Sequence, residues 1–85
     1  ECGVFGIWDS DSAARLTYLG LYAIQHRGQE SAGIVTLDEG KHRLHRGLGL
    51  VGEVFPDSVL EKLRGSAAIG HVRYSTSGEN LLSNA

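Results

Sequence analysis

Eighty-five residues, 9.1 kDa, hold one small domain at most, and a domain this small leaves a large share of its surface in water. Apolar residues make up 41% and charged residues 21%, a globular balance, while a net charge of −2 speaks against a general nucleic-acid binder. No apolar run approaches the roughly 20 residues a membrane helix needs, the first residues lack the regions of a signal peptide, and a single Cys excludes an intrachain disulfide framework.

The chain reads as one continuous α+β unit without repeats or linkers. Its 12 Gly against 1 Pro point to tight turns and close backbone approaches. With no Met, the chain is expected to be a processed product, a trimmed piece or a fragment. Gly3 to Trp8 is a short apolar and aromatic run, expected as a strand. Asp9-Ser10-Asp11-Ser12 supplies N-cap residue types, and a helix is expected beyond it. Leu16, Leu19, Gly20, Ala23 and Ile24 recur at helical spacing and are expected to form its buried stripe. Tyr18, Leu21 and Tyr22 make the helix apolar on more than one side, so it is expected to be sandwiched. His26 to Ser31 is a polar break. Ala32 to Leu37 is a second strand, Asp38-Glu39-Gly40 a turn, and Lys41 to Arg46 the returning arm of a hairpin.

Leu48 to Phe55 suits either a strand end or a short helix. After Pro56, Ser58-Val59-Leu60-Glu61 has the spacing of a capping box and opens a helix that stops at Gly65. Ala67 to Tyr74 is the last strand, and Ser75 onward is loop.

Four segments carry chemistry-bearing residues. Cys2 stands next to the chain start. If Glu1 were removed, the thiol and the α-amine would sit on one residue, and an amine of pKa about 7.7–8.0 can act as base for its own side chain. Otherwise Cys2 is a small buried hydrophobe. Gly70-His71-Val72-Arg73-Tyr74-Ser75-Thr76-Ser77-Gly78 places Arg at a strand end before a hydroxyl-rich loop. That suits a small carboxylate, and equally a solvated Arg before an ordinary turn. His26-Arg27-Gly28-Gln29-Glu30-Ser31 is either a functional loop or a polar connection.

Gly47-Leu48-Gly49-Leu50-Val51-Gly52 spells G-x-G-x-x-G, but the segment before it is polar and no acidic residue follows at the expected distance. A Gly-rich bend is expected there, not a dinucleotide site. His42, Arg43, His45 and Arg46 are expected as a hairpin edge with its charges in water. His26, His42, His45, His71 and Cys2 show no metal-ligand spacing.

Three of these motifs occur in a telling order: Cys2-Gly3-Val4-Phe5-Gly6-Ile7, then Gln25-His26-Arg27-Gly28-Gln29-Glu30-Ser31-Ala32-Gly33-Ile34, then Gly70-His71-Val72-Arg73-Tyr74-Ser75-Thr76. Together they resemble the glutaminase domain of the class II glutamine amidotransferases, over essentially the whole chain, and the wording at 26–31 is similar to the phosphoribosyl branch. The resemblance implies the first part of an αββα four-layer N-terminal-nucleophile hydrolase sandwich. Residues 1–85 would be the N-terminal portion of a type 2 glutamine amidotransferase domain. Cys2 would be the nucleophile and Arg27 would help position it. Arg73 would hold the glutamine α-carboxylate, with Thr76 and Ser77 beside it. The ammonia would convert phosphoribosyl pyrophosphate to phosphoribosylamine in purine synthesis.

The same resemblance implies Mg2+ in a further phosphoribosyltransferase domain and leaves open an iron–sulfur cluster elsewhere. It also implies a cytoplasmic homo-oligomer, with no nucleic-acid or membrane partner. Glu1 would be the remnant of an autoprocessed propeptide that silences Cys2 while attached. The Asn-Gly oxyanion pair and an amine-binding Asp of the family have no counterpart in residues 1–85, so this segment alone is expected to be inactive. The competing reading is a non-enzymatic small-ligand or interaction domain with a buried structural Cys.

Overall fold

The computed structural model of the chain describes residues 2–25 and 29–74, and of Cys2, Gln29 and Tyr74 the backbone alone. Four strands form one antiparallel sheet: β1 (Cys2–Ile7), β2 (Gln29–Asp38), β3 (Lys41–Leu48) and β4 (Ala67–Tyr74). Their order is β1-β4-β2-β3, so the last strand enters between the first two. Helix α1 (Ala13–Ile24) follows β1, and two single turns, α2 (Val51–Val54) and α3 (Asp57–Leu60), lie between β3 and β4.

The hairpin is the expected one. Asp38 pairs with Lys41, and both turn residues have positive φ: Glu39 at 51° and Gly40 at 81°. This two-residue turn matches the right-handed twist of its strands, and Gly carries the second position without strain. Arg43 Nε donates to Asp38 Oδ2 at 3.2 Å across it. His42, Arg43 and Arg46 are exposed on this edge as expected, but His45 is not. Its Nε2 lies 3.0 Å from the Val54 carbonyl, and its ring meets Phe55 edge-on at 5.5 Å.

Helix α1 starts where the Asp/Ser cluster predicts, with Ser12 as N-cap, but the Ser12 side chain makes no capping bond. Its buried stripe differs from the expected one. Ala13, Ala14, Thr17 and Leu21 are buried, and Gly20 and Ile24 pack with them toward the sheet. Leu16 and Leu19 are 41% and 58% exposed. At Gly20 the ring of Phe5 occupies the place of a side chain: a Cβ there would fall 2.5 Å from it. The expected sandwiching is also absent among the described residues, where Leu16, Leu19 and Tyr22 face outward.

Further along, the ambiguous stretch 48–55 resolves into the end of β3 and the turn α2. Val51, Val54 and Phe55 of that stretch join the core. The expected capping box at Ser58 does not form. Pro56 is the N-cap, and its carbonyl accepts from Val59 and Leu60, so Ser58 falls inside the turn. Extended ψ at Pro56 ends the incoming chain, and its ring costs nothing where no N–H is needed. The helical segment closes at Leu60, before Gly65.

The sheet therefore has one covered face and one bare face among the described residues. Toward α1 lie Val72, Ala32, Ile34 and Ala68, all buried. Val4, Leu44 and Ile69 alternate onto the other face and are 69%, 60% and 45% exposed. Trp8 joins them at the far end, where with Val35, Leu37 and Ile69 it lines a hollow of about 230 Å³.

Candidate active site

Two of the expected site residues, Cys2 and Arg73, meet at one end of the sheet. Cys2 on β1 stands in register with Arg73 on β4, and Arg73 stands in register with Ser31 on β2. Such antiparallel partners are about 4.5–5.5 Å apart between Cα atoms. Arg73 is half-buried and Ser31 is buried at 2%. The Arg73 backbone thus lies one strand away from the cysteine backbone. Arg27, Thr76 and Ser77 lie outside the described residues.

The path of the chain gathers at this same end. Ile24, at the end of α1, packs at Gly3: a Cβ there would fall 2.8 Å from Ile24 Cδ1. The backbone of Gln29, where β2 begins, pairs with Tyr74, the last residue of β4. Pairing then slips by one residue between Gln29 and Ser31, a bulge that leaves Glu30 between two ladder positions.

The polar break was expected to run to Ser31, yet residues 29–31 already belong to β2. Two ties brace this end, and the sequence shows neither directly. The Gln25 Oε1 accepts from the Val51 N–H at 3.1 Å, and the Glu30 carbonyl accepts from the Gly49 N–H at 2.7 Å. The only sequence signal is the Glu at 53, three residues after Leu50. Its Oε1 takes the Leu50 N–H at 2.9 Å and fixes the start of α2.

His71, two residues before Arg73, was part of the Arg-bearing motif. It pairs with Val4 and Gly33, and Gly33 in turn pairs with Arg46. The imidazole lies over Gly33, where a Cβ would fall 2.7 Å from Nε2. Burial first, and then the positive Arg46, hold its pKa below the ordinary 6.5. The unfolded chain therefore binds the proton more readily than the folded one. Stability contributed by neutral His71 is complete above 6.5 and falls as pH drops through and below that value. Between about pH 7 and pH 5 the thermal midpoint of a His71→Gln variant should fall less than that of the wild type. Parallel curves in a pH series of thermal melts would contradict this.

The Gly47-to-Gly52 segment is not a dinucleotide fingerprint. The strand before it is the exposed antiparallel edge β3, not a buried parallel strand. Among the described residues no three His, Cys, Asp or Glu side chains cluster as metal ligands would. Among them, too, no helix is long and apolar enough to cross a membrane.

A fold of this kind is shared with an enzyme of purine biosynthesis. A solved structure described as the allosteric regulatory enzyme of purine biosynthesis superposes with a TM-score of 0.89 at 51% identity, covering 96% of this chain and 18% of that one. The particular relatives are amidophosphoribosyltransferases. That of Bacillus subtilis is 56% identical over 78 residues, 92% of this chain and 16% of its own length. That of Lacticaseibacillus casei is 56% identical over 85 residues, 99% of this chain and 44% of its own length. The chain is therefore homologous, over nearly its whole length, to the N-terminal region of amidophosphoribosyltransferase. It spans about a sixth of the length of the Bacillus subtilis relative. No family model matches it.

Proposed function

We propose that this chain is the nucleophile-bearing part of a glutaminase domain that feeds ammonia to phosphoribosyl pyrophosphate. The observation that carries the reading is the register pair Cys2–Arg73. An arginine fork grips a carboxylate bidentately, and the backbone of Arg73 stands in register with that of the candidate nucleophile. That spacing suits an α-amino acid held by its α-carboxylate while its side-chain amide reaches Cys2.

The chemistry follows from those groups. The Cys2 Sγ adds to the amide carbon of glutamine, and the Cys2 α-amine takes the thiol proton. The C–N bond then breaks, and the amine returns a proton so that ammonia leaves. Water attacks the resulting γ-glutamyl thioester, giving glutamate and restoring the thiol. An amide nitrogen has no lone pair for this work, so Glu1 must be cleaved first. Arg27 supports the nucleophile and the new N-terminus, and Thr76 and Ser77 complete the grip on the substrate. In the longer protein the ammonia displaces pyrophosphate from phosphoribosyl pyrophosphate and gives phosphoribosylamine, an early intermediate of purine synthesis. That protein is read as a cytoplasmic homo-oligomer.

The bare sheet face supports the fold side of this reading. A row of exposed Val4, Leu44 and Ile69 suits a second sheet packed about 10 Å away, as in an αββα sandwich. Residues 1–85 would supply one sheet and one helix layer. Mg2+ belongs to the phosphoribosyl half, and the single Cys of this chain cannot furnish the thiolates of an iron–sulfur cluster.

Intact mass after exposure to an electrophilic glutamine analogue tests the proposal, using the longer protein with and without Glu1. An adduct on Cys2 only when Glu1 is absent supports both the nucleophile and its amine base. Equal labelling of both forms removes the amine from the mechanism. No labelling of either folded form favours a binding domain with a structural Cys. The Arg73→Lys variant keeps the charge but loses the fork, and its KM for glutamine should rise on the order of tenfold or more in steady-state assays.

A further inference from the structure

We infer that Gln25 is a positioning residue for the glutamine site, acting through the Gly-rich segment that follows β3. This rests on the glutaminase reading. Gln25 caps the C-terminal end of α1, where its backbone is already extended (ψ 147°). Its side-chain carbonyl reaches across to the N–H of Val51, which is fully buried. That N–H is the first of α2 and has no partner within its own turn. On the other side of the same segment, the Gly49 N–H holds the Glu30 carbonyl at 2.7 Å.

Residues 49–51 thus bind both the exit of α1 and the entrance of β2. The second tie falls on the bulged residue, immediately before Ser31, the register partner of Arg73. In the β2–β4 ladder the bulged Glu30 lacks a partner. On the other side of β2 its carbonyl is held by Gly49, one rung beyond the pair Ser31–Leu48, so the β2–β3 register continues past the bulge. The row Cys2–Arg73–Ser31 is therefore set by the segment 49–51 as well as by strand pairing.

Gly49 is suited to that work for two reasons. Its φ is +118°, which side-chain-bearing residues rarely adopt. A Cβ would also fall 2.9 Å from Glu53 Oε1, the group that holds Leu50. The G-x-G-x-x-G spelling then has a structural meaning: its middle glycine lets the backbone approach Glu30.

The test compares Gln25→Met with Gln25→Glu in the longer protein carrying a free Cys2 amine. Met keeps the length and removes the acceptor, while Glu keeps an acceptor oxygen at the same reach. The readouts are the rate of Cys2 labelling by the electrophilic glutamine analogue, and KM and kcat for glutamine. Gln25→Met should label about tenfold more slowly, with the loss in KM as well as kcat, and Gln25→Glu should stay within about threefold of wild type. Equal rates in wild type and Gln25→Met overturn the inference. So does an equal loss in both variants, since the acceptor would not then be what matters. Failure of the glutaminase reading looks different: the wild type itself would not label.

Discussion

Cys2→Ala, in the protein with Glu1 removed, is expected to lower glutamine-dependent ammonia release by at least about 10³-fold. The size follows from what the thiol does. Without it there is no thioester, and the difficult amide cleavage must occur in one step by water. Arg73 would still hold the α-carboxylate, so glutamine should bind with little change while turnover stops. That split, an intact binding isotherm beside lost ammonia release, separates loss of a nucleophile from loss of the fold. Unchanged release in the alanine variant would remove Cys2 from the chemistry altogether. The buried-cysteine reading makes the opposite prediction: a cost in melting temperature and nothing in rate.

A large stability effect is expected at Gly70, on the central strand β4. A Cβ there would fall 2.6 Å from Thr17 Cγ2 and 2.7 Å from Leu21 Cδ1. Both side chains are fully buried, so neither can swing aside. Gly70→Ala must push α1 off the sheet or distort the strand, at about 2–3 kcal/mol. Gly20→Ala provides the contrast. It meets the ring of Phe5, which is only partly buried and can turn. It also gains roughly 1 kcal/mol of helix propensity. Urea unfolding should therefore rank Gly70→Ala well below Gly20→Ala, and the reverse order would mean that α1 is seated by Phe5 instead of by β4.

The local elements were legible for local reasons. The Asp38-Glu39-Gly40 turn has the chemistry of a two-residue hairpin, and the apolar run 67–74 is a strand with its observed bounds. The Asp/Ser cluster at 9–12 marks where α1 begins. Misreadings came where spacing had to stand in for distance. Leu16 and Leu19 lie at helical spacing and are large and apolar, so periodicity favours them. The face that α1 turns to the sheet is instead Ala13, Ala14, Thr17, Gly20 and Leu21. A capping box at Ser58 obeys the sequence rule and loses to Pro56, whose fixed φ and free carbonyl start the turn first.

For the site, the sequence by itself determined the groups: a cysteine beside the chain start, an arginine at the end of a strand, and the ordered motifs that resemble a glutaminase. The resemblance is borne out by homology over nearly the whole chain. That Cys2 and Arg73 are neighbours follows from the fold alone. The insertion of β4 between β1 and β2 makes them so, and no local preference encodes a pairing between strands so distant along the chain. The fold also sets the brace from Gln25 to Val51 beside that row. A hydrogen bond to a backbone group carries no residue signature at its far end, so Val51 could not be read as the partner of Gln25 before the chain was folded.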